Sequence, residues 1–157
     1  MTRIKIALLA VFLVACQDGA DPQVAALVGT ERINKEVTLT HIVAQPVSAA
    51  MEGEYEILVT NQSQDRHTFP VDFGVQLLIY SDNAGMWREV ENFITYLPPD
   101  GSIVLGPRRD WPDNEDLFSV RPVFEQTSDD TMLRIIVVGQ DERGEGVAAY
   151  IDIPLGE

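Results

Sequence analysis

The 157-residue sequence has little of what enzyme and metal motifs are built from. It contains one cysteine, Cys16, so no intramolecular disulfide can form. Its two histidines, His41 and His67, do not make a zinc signature without cysteine partners. No serine lies in a Gly-x-Ser-x-Gly nucleophile pattern, and no glycine-rich loop carries the lysine of a phosphate-binding loop. The sequence therefore contains no recognisable catalytic motif, and no cofactor is expected.

Basic residues are scarce as well. All 25 acidic residues but only 9 of the 11 basic residues lie after residue 15, which gives that part a formal charge of −16. This excess argues against binding to nucleic acid, because proteins contact phosphates through lysine and arginine. It indicates either a cation or cationic partner, or solubility through like-charge repulsion. The acidic residues are scattered over all the loops, which favours solubility.

No apolar run reaches the length of a membrane span. Residues 6–15 are ten uninterrupted apolar residues after Arg3 and Lys5, whereas a transmembrane helix needs about 20. A plain secretory signal has small residues at both the third and the first position before its cleavage site, and Leu13 is too bulky for the third. A buried helix is disfavoured because turn-forming and charged residues follow Cys16 at once.

The four residues Leu13-Val14-Ala15-Cys16 resemble the lipobox of bacterial lipoproteins. The resemblance implies that residues 1–15 are a signal peptide that is removed and that the Cys16 thiol carries a diacylglycerol. The chain is then anchored to the membrane rather than spanning it, and the thiol is not free for catalysis, metal binding or redox chemistry. Gln17, where an aspartate would favour inner-membrane retention, implies sorting to the outer membrane.

The rest of the chain divides into a tether and a domain. Residues 16–34 are expected to be the lipidated N-terminus and a tether, in which the apolar stretch at 24–28 forms a short strand or a turn of helix. Residues 35–155 are close to the common size of one domain. The protein is expected to face the periplasm or the cell exterior.

Apolar patterning predicts strands in the domain. Two-residue alternation marks 55–60 and 147–153 as strands with one face in a core. Residues 75–80 and 133–138 are almost continuously apolar, which is typical of central strands covered on both faces. Asp82-Asn83-Ala84-Gly85 is a hairpin turn. Further strands are expected at 37–43, 86–91, 103–105 and 118–124. Seven or eight short strands predict an all-β sandwich.

The segments Tyr55-Glu56-Ile57-Leu58-Val59-Thr60-Asn61-Gln62-Ser63 and Leu97-Pro98-Pro99-Asp100-Gly101 resemble the immunoglobulin-like sandwiches of bacterial surface proteins. In those domains an alternating strand often ends in a polar turn built on asparagine. The paired cysteines with a tryptophan between them are absent, so the kinship is architectural. A sandwich of this kind implies no particular activity.

The most unusual segment is residues 108–116. Arg108, Arg109 and Trp111 suit a recognition loop with an aromatic anchor. A structural loop, in which the arginines pair with nearby acids and the tryptophan covers an edge of the core, fits the same residues.

Three acidic side chains of this segment, Asp110, Asp113 and Asp116, are candidate calcium ligands, although their spacing does not fit an EF-hand. His41 shares a strand face with apolar residues and is expected to be a core or edge histidine. His67 stands among polar residues and is expected in a loop, free to be solvated.

These observations favour a non-catalytic, membrane-anchored cell-envelope lipoprotein that binds a protein or polymer. The alternative is a calcium-dependent or hydrolytic enzyme whose site is assembled from the loop carboxylates and His67. The expected partners are the membrane, through Cys16, and an envelope protein or polymer, but not nucleic acid.

Overall fold

A computed structural model of the protein describes residues 21–42, 53–93, 101–111 and 118–155. Cys16 and the rest of the lipobox lie outside the described residues. The described chain forms one short helix and eleven strands, which are α1 (Pro22–Val28), β1 (Val37–Ile42), β2 (Tyr55–Asn61), β3 (His67–Pro70), β4 (Gln76–Ser81), β5 (Met86–Asn92), β6 (Ser102–Leu105), β7 (Asp110–Trp111), β8 (Phe118–Val120), β9 (Pro122–Val123), β10 (Asp130–Asp141) and β11 (Gly146–Pro154). The strand pairs are antiparallel, which confirms the predicted all-β fold.

The strands form a sandwich of two sheets. The large sheet is built on β10, which pairs with β11 along one edge and with β3 and β4, one after the other, along the opposite edge. Strand β6 extends this sheet beside β3, and β5 and then β9 extend it beside β4. In the small sheet, β2 pairs with β1 on one edge and with β7 and β8 on the other. Eleven strands appear where seven or eight were expected, because β3 and β7 were not predicted and the strand expected at 118–124 is divided into β8 and β9.

The main core lies between the sheets. Ile57 and Val59 of β2 are fully buried there, as the alternation predicted, and face Ile79, Leu133 and Ile135 of the large sheet. Full burial of one such side chain stabilises the fold by about 1.5–3 kcal/mol.

A second apolar cluster lies on the outer face of the large sheet. Val24 of α1 is fully buried against Leu78, Ile136 and Tyr150. Strands β4 and β10 are therefore covered on both faces, as their continuous apolar runs predicted. The described part of the expected tether is packed against the sheet, and its apolar stretch forms the helix rather than the strand.

The start of α1 is fixed to the sheet through one carboxylate. Oδ1 of Asp21 accepts hydrogen bonds from the backbone N–H groups of Gln23 (2.9 Å) and Val24 (3.4 Å), which is N-capping. Oδ2 of the same carboxylate accepts from Nη1 of Arg134 at 2.8 Å. The buried Arg134 also donates to both carboxylate oxygens of Asp152.

Two aromatic rings enclose the same guanidinium group. Its central carbon lies 4.2 Å from the ring centre of Trp87 and 4.5 Å from that of Tyr150. Burial lowers the pKa of Arg134, but the hydrogen bonds and charges of Asp152 and Asp21 raise it by more, so the pKa is raised overall. The outer face thus holds a fully paired buried cation.

Candidate functional site

The structure brings Arg108, Arg109 and Asp110 to one end of the sandwich, on the turn that leads from the large sheet to the small one. All three are exposed. Asp110 and Trp111 form β7, and their backbones pair with Thr60 and Val59. The side chain of Trp111 and the whole of residues 112–117, with the calcium candidates Asp113 and Asp116, lie outside the described positions.

Asn61, at the end of β2, ties this turn to the neighbouring loop. Its side chain is fully buried, and Nδ2 lies within hydrogen-bond distance of the carbonyl oxygens of Asp65 (2.8 Å), Gly106 (2.9 Å) and Leu105 (3.3 Å). Its Oδ1 accepts from both the backbone N–H and the hydroxyl group of Ser63. One buried amide thus holds loop 61–66 against loop 105–109.

Backbone bonds reinforce the contact between the two loops. The N–H of Asn61 donates to the carbonyl oxygen of Arg109 at 2.8 Å, and the N–H of Arg108 donates to that of Ser63 at 3.3 Å. Arg108 has a φ of 53°, in the left-handed region that favours glycine. Placing a residue with a side chain there costs on the order of 1–2 kcal/mol, and the paired loops hold it in place.

Arg66 adds a third exposed arginine from the neighbouring loop. We call Arg66, Arg108 and Arg109 the basic corner. Among the described residues none of the three has a carboxylate partner, whereas Arg32, Arg88, Arg134 and Arg143 are all ion-paired. Sequence reasoning missed Arg66 because it lies 42 residues from Arg108 and only the fold joins their loops.

His67 lies directly behind this surface, and its expected position in a solvated loop is wrong. It is the first residue of β3 and has no exposed surface, because the alternation that buries Phe69 also turns His67 inward. Burial is the main reason that its pKa is lowered, against the opposing effect of Glu36. Its Nδ1 is buried and has no hydrogen-bond partner within the described part of the chain.

The other ring nitrogen of His67 has two polar neighbours. Nε2 lies 3.0 Å from Oγ of Ser63 and 3.4 Å from Oε2 of Glu36. In a serine-histidine-acid triad the carboxylate contacts the nitrogen opposite the one that faces the serine. Here both contact the same nitrogen, and Oγ of Ser63 is also bonded to Asn61 and to the backbone N–H of Asp65. This geometry orders the loop and does not provide a triad.

An ion-pair cluster completes this end of the sandwich. Arg32 donates to both carboxylate oxygens of Glu36 and to Asp141. Burial alone would raise the pKa of Asp141, but bonds from the backbone N–H groups of Glu145 and Arg143 and from Arg32 hold it far below its usual range. His41, the other histidine, is half-buried beside Tyr55, and burial lowers its pKa.

The described residues contain no group of three or more histidine, cysteine or acidic side chains placed to hold a metal ion. A groove of about 650 Å³ lies elsewhere, between β5 and the chain around Phe124. One of its carboxylates, Asp130, accepts bonds from Thr127 and Arg88, which lower its pKa against the effect of burial. It is an ionised structural group and not a proton-exchanging acid near neutral pH.

No protein-family model and no curated protein matches the chain. Among solved structures it is similar to the Northeast Structural Genomics Consortium target SoR45, with 16% identity, a TM-score of 0.37, and coverage of 76% of this chain and 81% of that one. It is also similar to the archaellum periplasmic stator protein FlaG from Sulfolobus acidocaldarius, with 10% identity, a TM-score of 0.35, and coverage of 73% and 97%. At this level of similarity neither neighbour indicates a function for the chain.

Within the described ranges no helix is long and apolar enough to cross a membrane.

Proposed function

We propose that the protein is a non-catalytic cell-envelope lipoprotein, anchored through Cys16, whose sandwich binds an envelope protein or polymer. Arg108, Arg109 and Trp111 are the proposed recognition residues. The observation that carries the proposal is loop 105–109, whose residues 107–109 are exposed and whose carbonyl groups at Leu105 and Gly106 are bonded to the buried amide of Asn61. A rigid scaffold that presents exposed loops is the usual arrangement of binding domains.

The position at which the chain joins the fold supports the same proposal. Asp21 contacts Arg134, and β10 runs seven residues further before it reaches Asp141, beside loop 61–66. At about 3.3 Å per residue this is a separation of about 23 Å along the strand. The five steps from Cys16 to Asp21 span at most about 18 Å. A lipid at Cys16 would therefore hold the domain close to the bilayer, with the recognition residues at the end away from Asp21.

Cross-linking in living cells tests the proposal. The lipidated protein is captured from native membranes, and the cross-linked species of wild type are compared with those of an Arg108→Ala/Arg109→Ala variant. A partner band that is lost in this variant supports recognition by the loop. Arg143→Ala is the control, because Arg143 is also exposed but is already paired with Asp141 and Glu145. A partner band that survives in both variants would contradict the assignment of the loop.

Trp111→Ala tests the remaining recognition residue. The backbone of Trp111 pairs with that of Val59, which faces the core, so this register position calls for a separate measurement of stability. A binding anchor should cost about 2 kcal/mol or more of partner affinity with little change in melting temperature. A core residue should instead cost about 3–5 kcal/mol of stability. Melting curves of wild type with and without calcium test the alternative metal site.

A further inference from the structure

The basic corner stands out against the charge of the molecule around it. The part of the chain after residue 15 carries a formal charge of −16, yet three arginines without carboxylate partners among the described residues lie on two joined loops. At physiological salt a charge is screened beyond about 8 Å. A ligand at the corner therefore interacts with these guanidinium groups and their immediate neighbours, and the distant acidic residues contribute little.

The neighbours of the corner determine how a ligand can be bound there. Asp65 precedes Arg66 and Asp110 follows Arg109, and both acids are exposed. They cancel much of any diffuse positive potential, so a ligand has to make direct contacts with the guanidinium groups. Arginine makes such contacts as paired hydrogen bonds to oxyanions.

Phosphate suits three exposed arginines on two joined loops better than carboxylate does. A terminal phosphate offers three unshared oxygens and an internal phosphate of a polymer offers two in a tetrahedral arrangement, whereas the two oxygens of a carboxylate lie in one plane. A phosphate can therefore accept hydrogen bonds from guanidinium groups that approach from more than one direction. The centre of a protein interface is apolar, and on β6, the strand that leads into loop 105–109, Val104 is the exposed large apolar side chain. A ligand recognised by its charge fits this surface better than an acidic protein does.

The backbone conformation of Arg108 also supports a binding role for its side chain. Its φ of 53° is a conformation that glycine adopts at lower cost than arginine. Strained backbone conformations cluster at functional sites, and this one lies at an exposed position, which supports a binding role for the Arg108 side chain. We infer that the basic corner binds phosphate groups of an anionic envelope polymer. This inference rests on the proposed function and names its ligand.

The test is a calorimetric titration of the full chain, purified in a non-ionic detergent, with sodium polyphosphate. Wild type should bind at 50 mM salt and more weakly at 200 mM, because counterions are released on binding. The variant Arg66→Gln/Arg108→Gln/Arg109→Gln should bind at least tenfold more weakly. Arg143→Gln, which removes one exposed charge that is already paired, should stay within twofold of wild type.

A second titration distinguishes phosphate from carboxylate. Polyglutamate of matched charge should bind at least tenfold more weakly than polyphosphate, and equal binding would overturn the phosphate assignment. Absence of polyphosphate binding by wild type, or equal binding by wild type and the triple variant, would overturn the inference as a whole. If the triple variant melts at a lower temperature than wild type, Arg66→Gln takes its place, because this single change removes no described hydrogen bond. It should bind polyphosphate at least tenfold more weakly than wild type, whereas Arg143→Gln should stay within twofold.

The two proposals fail in different ways. If the cross-linked partner requires Arg108 and Arg109 but polyphosphate does not bind, the ligand class is wrong and the recognition loop stands. If polyphosphate binds through the corner but the protein carries no lipid at Cys16, the site exists and the envelope anchor is wrong.

Discussion

Single polar side chains decide the geometry of the candidate site. Asn61 is the clearest case, because its amide is fully buried and contacts both loops of the basic corner. Its role could have been predicted from register. It continues the inward series of Ile57 and Val59, and a buried amide needs hydrogen-bond partners. What the sequence did not show was which carbonyl groups would meet it, since Leu105 and Gly106 are 44 and 45 residues away.

Replacing Asn61 should therefore destabilise the whole domain. Asn61→Ala leaves the buried carbonyl oxygen of Leu105 and its neighbours without their donor, and we expect a loss of about 2–3 kcal/mol in the free energy of unfolding. Urea denaturation measures it. Gln62→Ala is the control, because Gln62 is exposed and, among the described residues, its side chain donates to Thr38 alone. A change of less than about 0.5 kcal/mol for Asn61→Ala would show that the amide does not hold the loops.

His67 should make stability depend on pH. Its folded-state pKa is lowered by burial, whereas the unfolded chain takes up a proton near the ordinary value of about 6.5. Below that pH the unfolded state binds more protons, so the free energy of unfolding should fall as the pH falls from 7.5 to 5. The slope for one histidine is at most about 1.4 kcal/mol per pH unit. The depressed carboxyl of Asp141 loses its contribution only below its ordinary pKa of 3.8.

Denaturation at pH 7.5, 6.5, 5.5 and 5 checks this expectation. His67→Gln should flatten the dependence more than His41→Gln does, because His41 is only partly buried. The slope is read within each variant, so a general loss of stability does not obscure it. A pH dependence that is unchanged in His67→Gln and abolished in His41→Gln would show that it comes from His41 and would contradict the expectation.

At the scale of elements, helix α1 covers the second apolar cluster on the outer face of the large sheet. Val24 is its one fully buried side chain, whereas Leu27, on the same helix, is 43% exposed. Val24→Ala should lower the free energy of unfolding by about 1–2 kcal/mol through the lost methyl groups and the space they leave. Leu27→Ala should change it by less than about 0.5 kcal/mol. Equal effects of the two variants would mean that the helix does not pack as described.

Most of the strands were predictable, whereas the stretch at 24–28 was left open between a short strand and a turn of helix, for a physical reason. Strand alternation repeats every two residues, so even six residues such as 55–60 establish the face. A seven-residue helix with one buried side chain has no periodicity to detect. Its start signals were present, since Asp21 is an N-cap type and Pro22 suits the first turn, but the same residues are common in turns and tethers.

The outer face of β10 shows the limit of patterning most clearly. Arg134 interrupts an apolar run, and nothing local indicates that it is buried. Its partners Asp21 and Asp152 lie 113 and 18 residues away. The apolar run predicted two covered faces, and only the fold shows how a charge is accommodated in one of them.

At the scale of the whole molecule, the proposed anchor at Cys16 precedes the described domain in the sequence. Cys16→Ser should abolish labelling with radioactive palmitate and release the protein from the membrane fraction, because the thioether requires the thiol and stable anchoring takes two or more acyl chains. Its melting temperature should match that of wild type. Gln17→Ser, which keeps the thiol, should label normally. Equal palmitate labelling of Cys16→Ser and wild type would contradict lipidation at this residue.

The three hydrogen bonds of the Asp21 carboxylate also have a mechanical consequence. Tension applied from the N-terminal side of the chain reaches Asp21 before it reaches any strand. It acts first on the bond to Arg134 and on the cap of a seven-residue helix. Those contacts can give way, and α1 can peel from the outer face, while the paired strands of both sheets stay registered. Within the described part of the chain, the first segment to yield under a pull is therefore the helix, and the loops at the opposite end keep their arrangement.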